Sequence, residues 1–267
     1  MARIVAGVDS STQSVKVVLR DAESGELIAQ TSRPHPDGTE VDPREWQIAL
    51  DSALEEFSAQ KIEAISIGGQ QHGMVALDSK GEVIRKALLW NDTRSSNEAE
   101  EINAEFPNIH QRTGSKLVAS FTASKVRWLS KNEPENAKKV AGIALPHDWL
   151  SWKLTGSKDL RTIFTDRSDA SGTGYFDPTT NQYCGDIFSF ALPGQSGVHL
   201  PTLVKPGAIA GYTSSGVPIA CGAGDNAAAA LGVGATVGDL VISLGTSGTA
   251  FAISDHGTHD SSGEVAG

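Results

Sequence analysis

Two segments near opposite ends of the sequence share one pattern: a β-rich run, a turn of small hydroxyl and glycine residues, and a second β-rich run. They read AGVDSSTQSVKVV and VISLGTSGTAFAI, and their turns contain Thr12 and Thr246. Turns of this composition expose backbone N–H groups and hydroxyls that bind anions. The pattern predicts one supersecondary unit used twice, with a polyphosphate held from both sides. Two unrelated hairpins with similar turns are the simpler alternative.

The segment between the two hairpins alternates strand patterns with helix patterns. Residues 25–32 are predicted to form a third strand, and IEAISIGG is typical of a buried strand. A helix is predicted from Asp42, where Asp and Pro precede apolar residues on one helical face. Another is predicted from an N-cap at Asp148 to Gly156. Residues 175–218 are read as short elements and loops. The alternation indicates an α/β protein with a mixed β-sheet flanked by helices.

Charge and composition limit the kinds of partner that the chain is expected to bind. The net charge is -10 and no Lys/Arg-rich run is present, which argues against nucleic acid or an anionic membrane surface as a partner. The N-terminus does not resemble a signal peptide and no stretch is long enough to span a membrane, so a cytoplasmic location is expected. Cys184 and Cys221 lack metal-site spacing. A small neutral or phosphorylated ligand fits this composition better.

Several short motifs follow one another in a fixed order along the chain. They are GVDSSTQSVK, GGQQHGMVALD, LLWNDTR, SFTASKVRWLSKN, GAGDNAAAALGVG and SLGTSG. Together they resemble the FGGY carbohydrate kinases, members of the actin, hexokinase and heat-shock-protein-70 superfamily, and the resemblance is greatest to the xylulokinase group. Ser11 stands where many members have Gly, so the first turn is expected to differ slightly in shape.

The resemblance implies an actin-like ATPase (ribonuclease H-like) fold with a cleft between two domains. Residues 1–238 are then the FGGY-type N-terminal sugar-binding and catalytic domain. Residues 239–267 are the start of a second, nucleotide-binding actin-like domain, which is incomplete in this sequence. Because members of the family are longer, we expect the isolated 267-residue piece to bind sugar weakly and to turn over no ATP.

The catalytic residues that the resemblance implies are two aspartates. Asp225, between a glycine-rich loop and a helix, takes the role of general base in phosphoryl transfer. A purely structural N-cap is the alternative, and the two roles are compatible. A helix N-terminus would keep the carboxylate ionised and would limit its basicity. Asp9 is expected to hold Mg²⁺ against the phosphates of ATP. In the alternative interpretation, its side chain only accepts hydrogen bonds from the backbone N–H groups of its own turn.

The remaining expected contacts divide between nucleotide and sugar. No Gly-x-x-x-x-Gly-Lys-Ser/Thr loop is present, so a P-loop mechanism is not supported. The expected phosphate donors are Thr12, Gln13 and Ser14 on one hairpin and Gly245, Thr246 and Ser247 on the other. The expected sugar contacts are Gln71, His72, Asn226, Trp90 and Asp92.

Alternatives remain open for several of these side chains. In the simpler interpretation, Gln71 and His72 form a solvated polar loop and Trp90 is a core residue. The alternative role for Asp92 is to pair with Arg94 and to shape the pocket. A further polar set is interpreted as helix caps and loop ion pairs, namely Asp148, Asp166, Arg167 and Asp169.

The function expected from the resemblance is an ATP-dependent kinase that converts D-xylulose to D-xylulose 5-phosphate. Its partners would be the sugar, ATP and Mg²⁺, and an exposed interdomain face would favour association, a homodimer being the simplest case. Another kinase of the family, acting on gluconate, ribulose or glycerol, is the first alternative. A nucleotide-binding protein of the actin or chaperone type, without sugar chemistry, is the second.

Overall fold

The computed structural model describes residues 3–244 and 248–267. In chain order the strands are β1 (Ile4–Ser10), β2 (Ser14–Asp21), β3 (Leu27–Pro34), β4 (Glu40–Val41), β5 (Ile62–Gly69), β6 (Val75–Leu77), β7 (Ala87–Leu88), β8 (Gly142–Ala144), β9 (Phe164–Thr165), β10 (Phe176–Asp177), β11 (Gln182–Tyr183), β12 (Thr202–Leu203), β13 (Ile209–Tyr212), β14 (Pro218–Ala220), β15 (Ala223–Gly224), β16 (Leu240–Leu244) and β17 (Gly248–Ala252).

The helices alternate with these strands. They are α1 (Pro43–Glu55), α2 (Ser96–Glu105), α3 (Ile109–Thr113), α4 (Thr122–Asn132), α5 (Pro134–Ala137), α6 (Pro146–Leu154), α7 (Arg167–Ser171), α8 (Gly185–Ala191) and α9 (Asp225–Gly232), with a 3₁₀ turn at Leu160–Thr162. In the described part of the chain, no helix combines the length and the apolar character that crossing a membrane requires.

The central sheet has the strand order β13-β14-β5-β1-β2-β3, and β15 also pairs with β5. β1, β5, β14 and β15 run parallel, whereas β2 lies antiparallel to β1 and β3 on either side. The tight turn after β1 explains the antiparallel β2, and the crossover through α1 returns the chain parallel to β1. The α/β actin-like fold with a mixed sheet is therefore confirmed.

Side-chain alternation along β1 separates a packed face of the sheet from an open one. Ala6 and Val8 are buried, whereas Gly7 and Asp9 between and after them are exposed. The buried face packs against α1 and α6, whose Trp46 and Trp149 meet edge to face with ring centroids 6.5 Å apart. Because successive strand residues point to opposite faces, Asp9 projects from the face that these helices leave open.

The helix predicted from Asp42 forms as α1. The Asp42 side chain accepts a hydrogen bond from Arg44 N at 3.0 Å, and Pro43 occupies the first helical position. Both features favour a helix start at this residue. The predicted apolar face is buried at Trp46 and Leu50, as expected.

The start of the helix predicted from Asp148 was wrong by several residues. α6 begins at Pro146, with Leu145 at the N-cap, because proline is well suited to the first helical position. Asp148 lies in the first turn, and its Oδ2 accepts from Leu145 N at 3.0 Å. The carboxylate still satisfies a free N–H group of the helix start, but it does so from inside the helix.

The strands β16 and β17 form a separate hairpin that pairs only with itself in the described residues. Apolar side chains on this hairpin are well exposed, including Leu240 at 64% and Ile242 at 61%. The division of the chain into 1–238 and 239–267 stays a prediction. Residues 175–218 consist of short strands, α8 and loops, in agreement with the sequence.

Candidate active site

A cleft of about 940 Å³ lies on the open face of the central sheet. Its walls come from β1, the β1–β2 turn, β5, the start of α9 and the β16–β17 hairpin, which contributes Ser243 and Thr249. The predicted site residues that line it are Asp9, Thr12, Gln13, Trp90, Asp225 and Asn226. Residues from distant parts of the sequence therefore meet at one concave surface.

Strand register brings the two aspartates together. Asp9 on β1 is paired with Gly68 on β5, and Gly68 is paired with Ala223 on β15. Asp225 follows directly after β15, so the two residues sit near the carboxyl ends of parallel strands, with one strand between them. Two interstrand spacings place their backbones about 10 Å apart. A ligand in the cleft can contact both carboxylates, at the end of the sheet where open α/β proteins bind ligands.

Asp225 differs in two respects from the sequence expectation. Gly224 is the N-cap of α9, and Asp225 is the first helical residue, with its Oδ1 accepting from Asn226 N at 2.8 Å. Although the side chain is exposed to the cleft, the surrounding protein displaces water and raises the pKa of Asp225, and the charge of Asp9 raises it further. The hydrogen bond from Asn226 N lowers the pKa of Asp225, as expected at a helix start, but desolvation outweighs it. A higher pKa makes the carboxylate a stronger proton acceptor.

Asp9 presents a carboxylate that suits a hard cation. Desolvation raises its pKa, and the positive charge of Lys16 opposes that change. Asp9 lines the cleft, and no residue among those that the structure describes donates a hydrogen bond to its carboxylate. Mg²⁺ prefers such oxygen ligands and usually keeps part of its water shell. The chemistry of Asp9 thus fits the predicted metal contact, which stays a prediction.

The β1–β2 turn is held by residues that the sequence did not single out. The backbone N–H of His35 donates to the carbonyl of Gln13 at 2.8 Å, and its ring Nδ1–H donates to the carbonyl of Ser11 at 2.9 Å. Ser11 N also donates to Ser14 O at 3.0 Å. Ser14 lies at the start of β2 and does not line the cleft, whereas Ser11 does. No sequence periodicity marks His35, because its partners are more than 20 residues away.

Trp90 is a wall of the cleft and not a core residue. The residue is 43% exposed, and its Nε1–H donates to the hydroxyl of Thr12 at 2.8 Å. The core alternative for this residue was therefore wrong. The hydrogen bond joins the predicted phosphate turn to the wall formed by residues 90 and 91.

Gln71 and His72 lie next to the cleft but are not part of its lining. Gln71 Nε2 donates to the carbonyl of Ser168 at 2.6 Å, and a Cβ on Gly224 would lie only 2.5 Å from it. His72 has a backbone φ of +66° and donates from Nδ1 to the carbonyl of Gly172 at 2.7 Å. Its ring packs against Phe121, with centroids 4.9 Å apart. The solvated-loop alternative was wrong, because both side chains are fixed by protein contacts.

The chemistry of His72 leads to a testable expectation. Burial lowers its pKa to about 4, so the ring is neutral at pH 6, with its proton on Nδ1 and a free lone pair on Nε2. In the unfolded chain the ring protonates near its usual pKa of about 6.5, so the contribution of His72 to stability is lost as pH falls from 6.5 toward 4. Two-dimensional ¹H–¹⁵N NMR of the imidazole should show this tautomer at pH 6. A ring that titrates at its ordinary pKa would contradict the expectation.

Asp92 has its oxygens occupied by protein groups. It is 4% exposed and accepts from Arg94 Nε and Nη2, both at 2.9 Å, and from Thr39 Oγ1 at 2.8 Å. Burial opposes ionisation, but the hydrogen bonds from Arg94 and Thr39 outweigh it and hold the pKa of Asp92 below its usual value. The structure thus places Asp92 in the ion pair that its alternative interpretation described.

The remaining predicted residues fall into two groups. Gly245, Thr246 and Ser247 lie outside the described residues. Asp166 is the N-cap of α7 and accepts from Ser168 N at 2.7 Å, and Arg167 donates to the carbonyl of Pro178 at 2.9 Å. The interpretation of Asp166 as a cap agrees with these bonds, whereas the ion pair expected for Arg167 is replaced, among the described residues, by a hydrogen bond to a backbone carbonyl.

Known proteins are similar to nearly the whole of this chain. Xylulose kinase from Streptomyces coelicolor is 44% identical over 99% of this chain and 57% of its own length, and that from Escherichia coli is 34% identical over 93% and 54%. The crystal structure of xylulose kinase from Bifidobacterium adolescentis superposes with a TM-score of 0.94 at 43% identity, covering 99% of this chain and 62% of that one. The chain thus spans less than two thirds of each of these relatives. Residues 4–232 match the FGGY family of carbohydrate kinases, N-terminal domain, and the chain belongs to that family.

Proposed function

We propose that the protein containing this chain is an ATP-dependent kinase that transfers a phosphoryl group to D-xylulose and forms D-xylulose 5-phosphate. The observation that carries the proposal is the meeting of Asp9, Asp225 and the β1–β2 turn at one cleft. The names of its relatives supply the sugar, since proteins 44% and 34% identical to this chain are xylulose kinases. These relatives are longer than this chain, so the activity is proposed for the complete protein.

Asp225 is the general base of the proposed reaction. Phosphoryl transfer to a hydroxyl needs alignment, neutralisation of phosphate charge and a group that accepts the hydroxyl proton. The carboxylate of Asp225 is exposed to the cleft and has a raised pKa, which suits it to accept that proton. The hydroxyl at C5 of the sugar is the one that would face it.

The β1–β2 turn and Asp9 take the nucleotide side. Thr12 and Gln13 line the cleft and offer neutral donors to phosphate oxygens. Asp9 would hold Mg²⁺, which neutralises charge on the β- and γ-phosphates. Residues 245–247 would complete the phosphate site from the second hairpin, and residues 239–267 would begin the nucleotide-binding domain.

His72 and Gln71 are the proposed sugar contacts, together with Asn226 and Trp90. With Nδ1–H committed to Gly172, the free Nε2 of His72 can accept a hydrogen bond from a sugar hydroxyl. Asn226, beside the base, lines the cleft and can donate and accept. A neutral donor–acceptor set of this kind recognises hydroxyl groups without requiring charge on the substrate.

The sugar assignment is tested with a coupled assay of ADP release by the full-length protein. D-Xylulose, D-ribulose, D-gluconate and glycerol are compared at matched concentrations with ATP and Mg²⁺. We expect the highest kcat/KM with D-xylulose. Higher kcat/KM with any of the other compounds would overturn the sugar assignment, and ATP turnover that no sugar stimulates would overturn the kinase proposal itself.

A further inference from the structure

A histidine–aspartate pair lies buried beneath the glycine-rich segment that leads to Asp225. His147 on α6 and Asp169 on α7 are both 0% exposed. The ring Nδ1 of His147 is 2.7 Å from Asp169 Oδ2, and its Nε2 is 2.9 Å from the carbonyl oxygen of Cys221. The pair therefore connects the two helices to the segment of residues 221–224.

The bonding pattern fixes the protons on the ring of His147. A carbonyl oxygen only accepts, so Nε2 carries a proton and donates it to Cys221. Nδ1 faces two carboxylates, with Asp148 Oδ1 at 3.1 Å in addition to Asp169. Burial lowers the pKa of His147, but the two carboxylates more than offset that and hold it well above its usual value. The ring is thus a donor at both nitrogens.

Glycines make room for the His147 side chain at two points. Gly222 has a φ of +79°, and a Cβ there would lie 2.2 Å from His147 Nε2. A Cβ on Gly69, at the end of β5, would lie 2.9 Å from His147 Cβ. Real Cβ atoms do not approach so closely, so the imidazole is packed against the glycine-rich segment and the Cβ of His147 against the end of β5.

The neighbour of Asp169 provides a second attachment to the same segment. Ser168 Oγ accepts a hydrogen bond from Gly224 N at 3.0 Å, and the Ser168 carbonyl accepts from Gln71 Nε2. Gly224 is the N-cap of α9 and immediately precedes Asp225. Helix α7 therefore holds the residue before the proposed base and a proposed sugar contact at once.

A metal ion is a poorer explanation of this cluster than hydrogen bonding. His147, Asp148 and Asp169 are close enough to be considered as ligands. Two ligands of a tetrahedral zinc ion about 2.0–2.1 Å from the metal lie about 3.3 Å apart. The 2.7 Å separation of His147 Nδ1 and Asp169 Oδ2 is instead that of a charge-assisted hydrogen bond.

We propose that His147, held by Asp169, and Ser168 are positioning residues for Asp225. They do not line the cleft, and they act by fixing residues 221–224, which immediately precede Asp225. This inference rests on the proposed kinase function, because it concerns the placement of its base. Loss of the attachments leaves the carboxylate in the cleft but lets it move away from the hydroxyl that it serves.

The kinetic test compares His147→Leu, His147→Gln and Ser168→Ala in the full-length protein. A base displaced by near 1 Å can cost about 10²-fold in rate, so we expect His147→Leu to approach that loss in kcat with KM for ATP unchanged. Glutamine retains an N–H donor for Cys221 and should restore much of the loss. His110→Leu is the matched control, since His110 is also buried but lies outside the cluster. A kcat for His147→Leu no lower than that of His110→Leu would overturn the proposal.

Two further measurements cover the cases in which this comparison fails. If His147→Leu does not fold, Ser168→Ala decides, because it removes the acceptor of Gly224 N. It also removes the hydroxyl that donates to Asp166 Oδ2 at 2.6 Å, but Asp166 keeps its cap bonds from Ser168 N and Asp169 N. An unchanged kcat would overturn the proposal. If the parent phosphorylates no sugar, the proposed function fails, and amide hydrogen exchange then tests the positioning role by itself. Amides of residues 222–226 should then exchange faster in Ser168→Ala than in the parent, with β2 unchanged. Equal exchange in both would overturn the positioning role.

Discussion

Replacement of Asp225 by asparagine is expected to lower kcat of the full-length protein by about 10²–10⁴-fold, the usual contribution of a positioned general base. Asparagine has nearly the same shape but cannot accept the proton of the attacking hydroxyl. KM for the sugar should change far less than kcat, because the amide can still form a hydrogen bond in the cleft. Steady-state kinetics with D-xylulose as the varied substrate separates the two parameters.

Stability measurements distinguish this effect from loss of folding. The pKa of Asp225 is raised in the folded protein, so its negative charge is less favourable there than in the unfolded chain. Ionisation of Asp225 therefore lowers the stability of the folded protein as pH rises through that pKa. Asp225→Asn should therefore unfold at no lower temperature than the parent. Asp37→Asn, at an exposed loop position, removes the same charge away from the cleft and should leave kcat unchanged. Turnover by Asp225→Asn within a few-fold of the parent would exclude Asp225 as the base.

Local patterns in the sequence were sufficient for the α/β class with a mixed sheet, whereas the actin-like fold was expected from the family resemblance. The apolar alternation in β1 and β2 and the apolar face of α1 are properties of neighbouring residues, and each strand or helix formed near its predicted position. The start of α6 was misplaced because two local signals competed, and Pro146 outweighed Asp148.

The side-chain contacts that support the site could not be predicted from local sequence patterns. His147 contacts Asp169 and Cys221, which lie 22 and 74 residues away along the chain. His35 contacts Ser11 across 24 residues. Only the folded arrangement of strands brings these groups together, so a single histidine in the sequence gives no sign of its partner. The raised pKa of Asp225 has the same origin, since it depends on burial and on Asp9.

The second large effect that we expect is a loss of stability on substitution of a glycine before Asp225. The sequence suggested that these glycines admit a ligand, but the structure shows protein side chains in the space of two of them. Gly224 faces Gln71, and Gly222 faces His147 and the carbonyl of Ile67. An alanine at Gly222 would place its Cβ 2.4 Å from that backbone oxygen, which cannot move without disturbing β5.

Gly222→Ala is therefore expected to lower the free energy of unfolding by about 2–5 kcal/mol, from left-handed strain together with overpacking. Gly216→Ala is the matched control, because Gly216 has a φ of +86° but nothing lies within 4 Å of its Cβ position. The control should lose only the left-handed strain, about 1–2 kcal/mol. Urea unfolding of both variants of the 267-residue chain measures the difference. Equal losses in the free energy of unfolding would mean that residues 221–224 shift easily to accommodate the added methyl group. The packing of this segment on His147 would then not be what holds Asp225 in place.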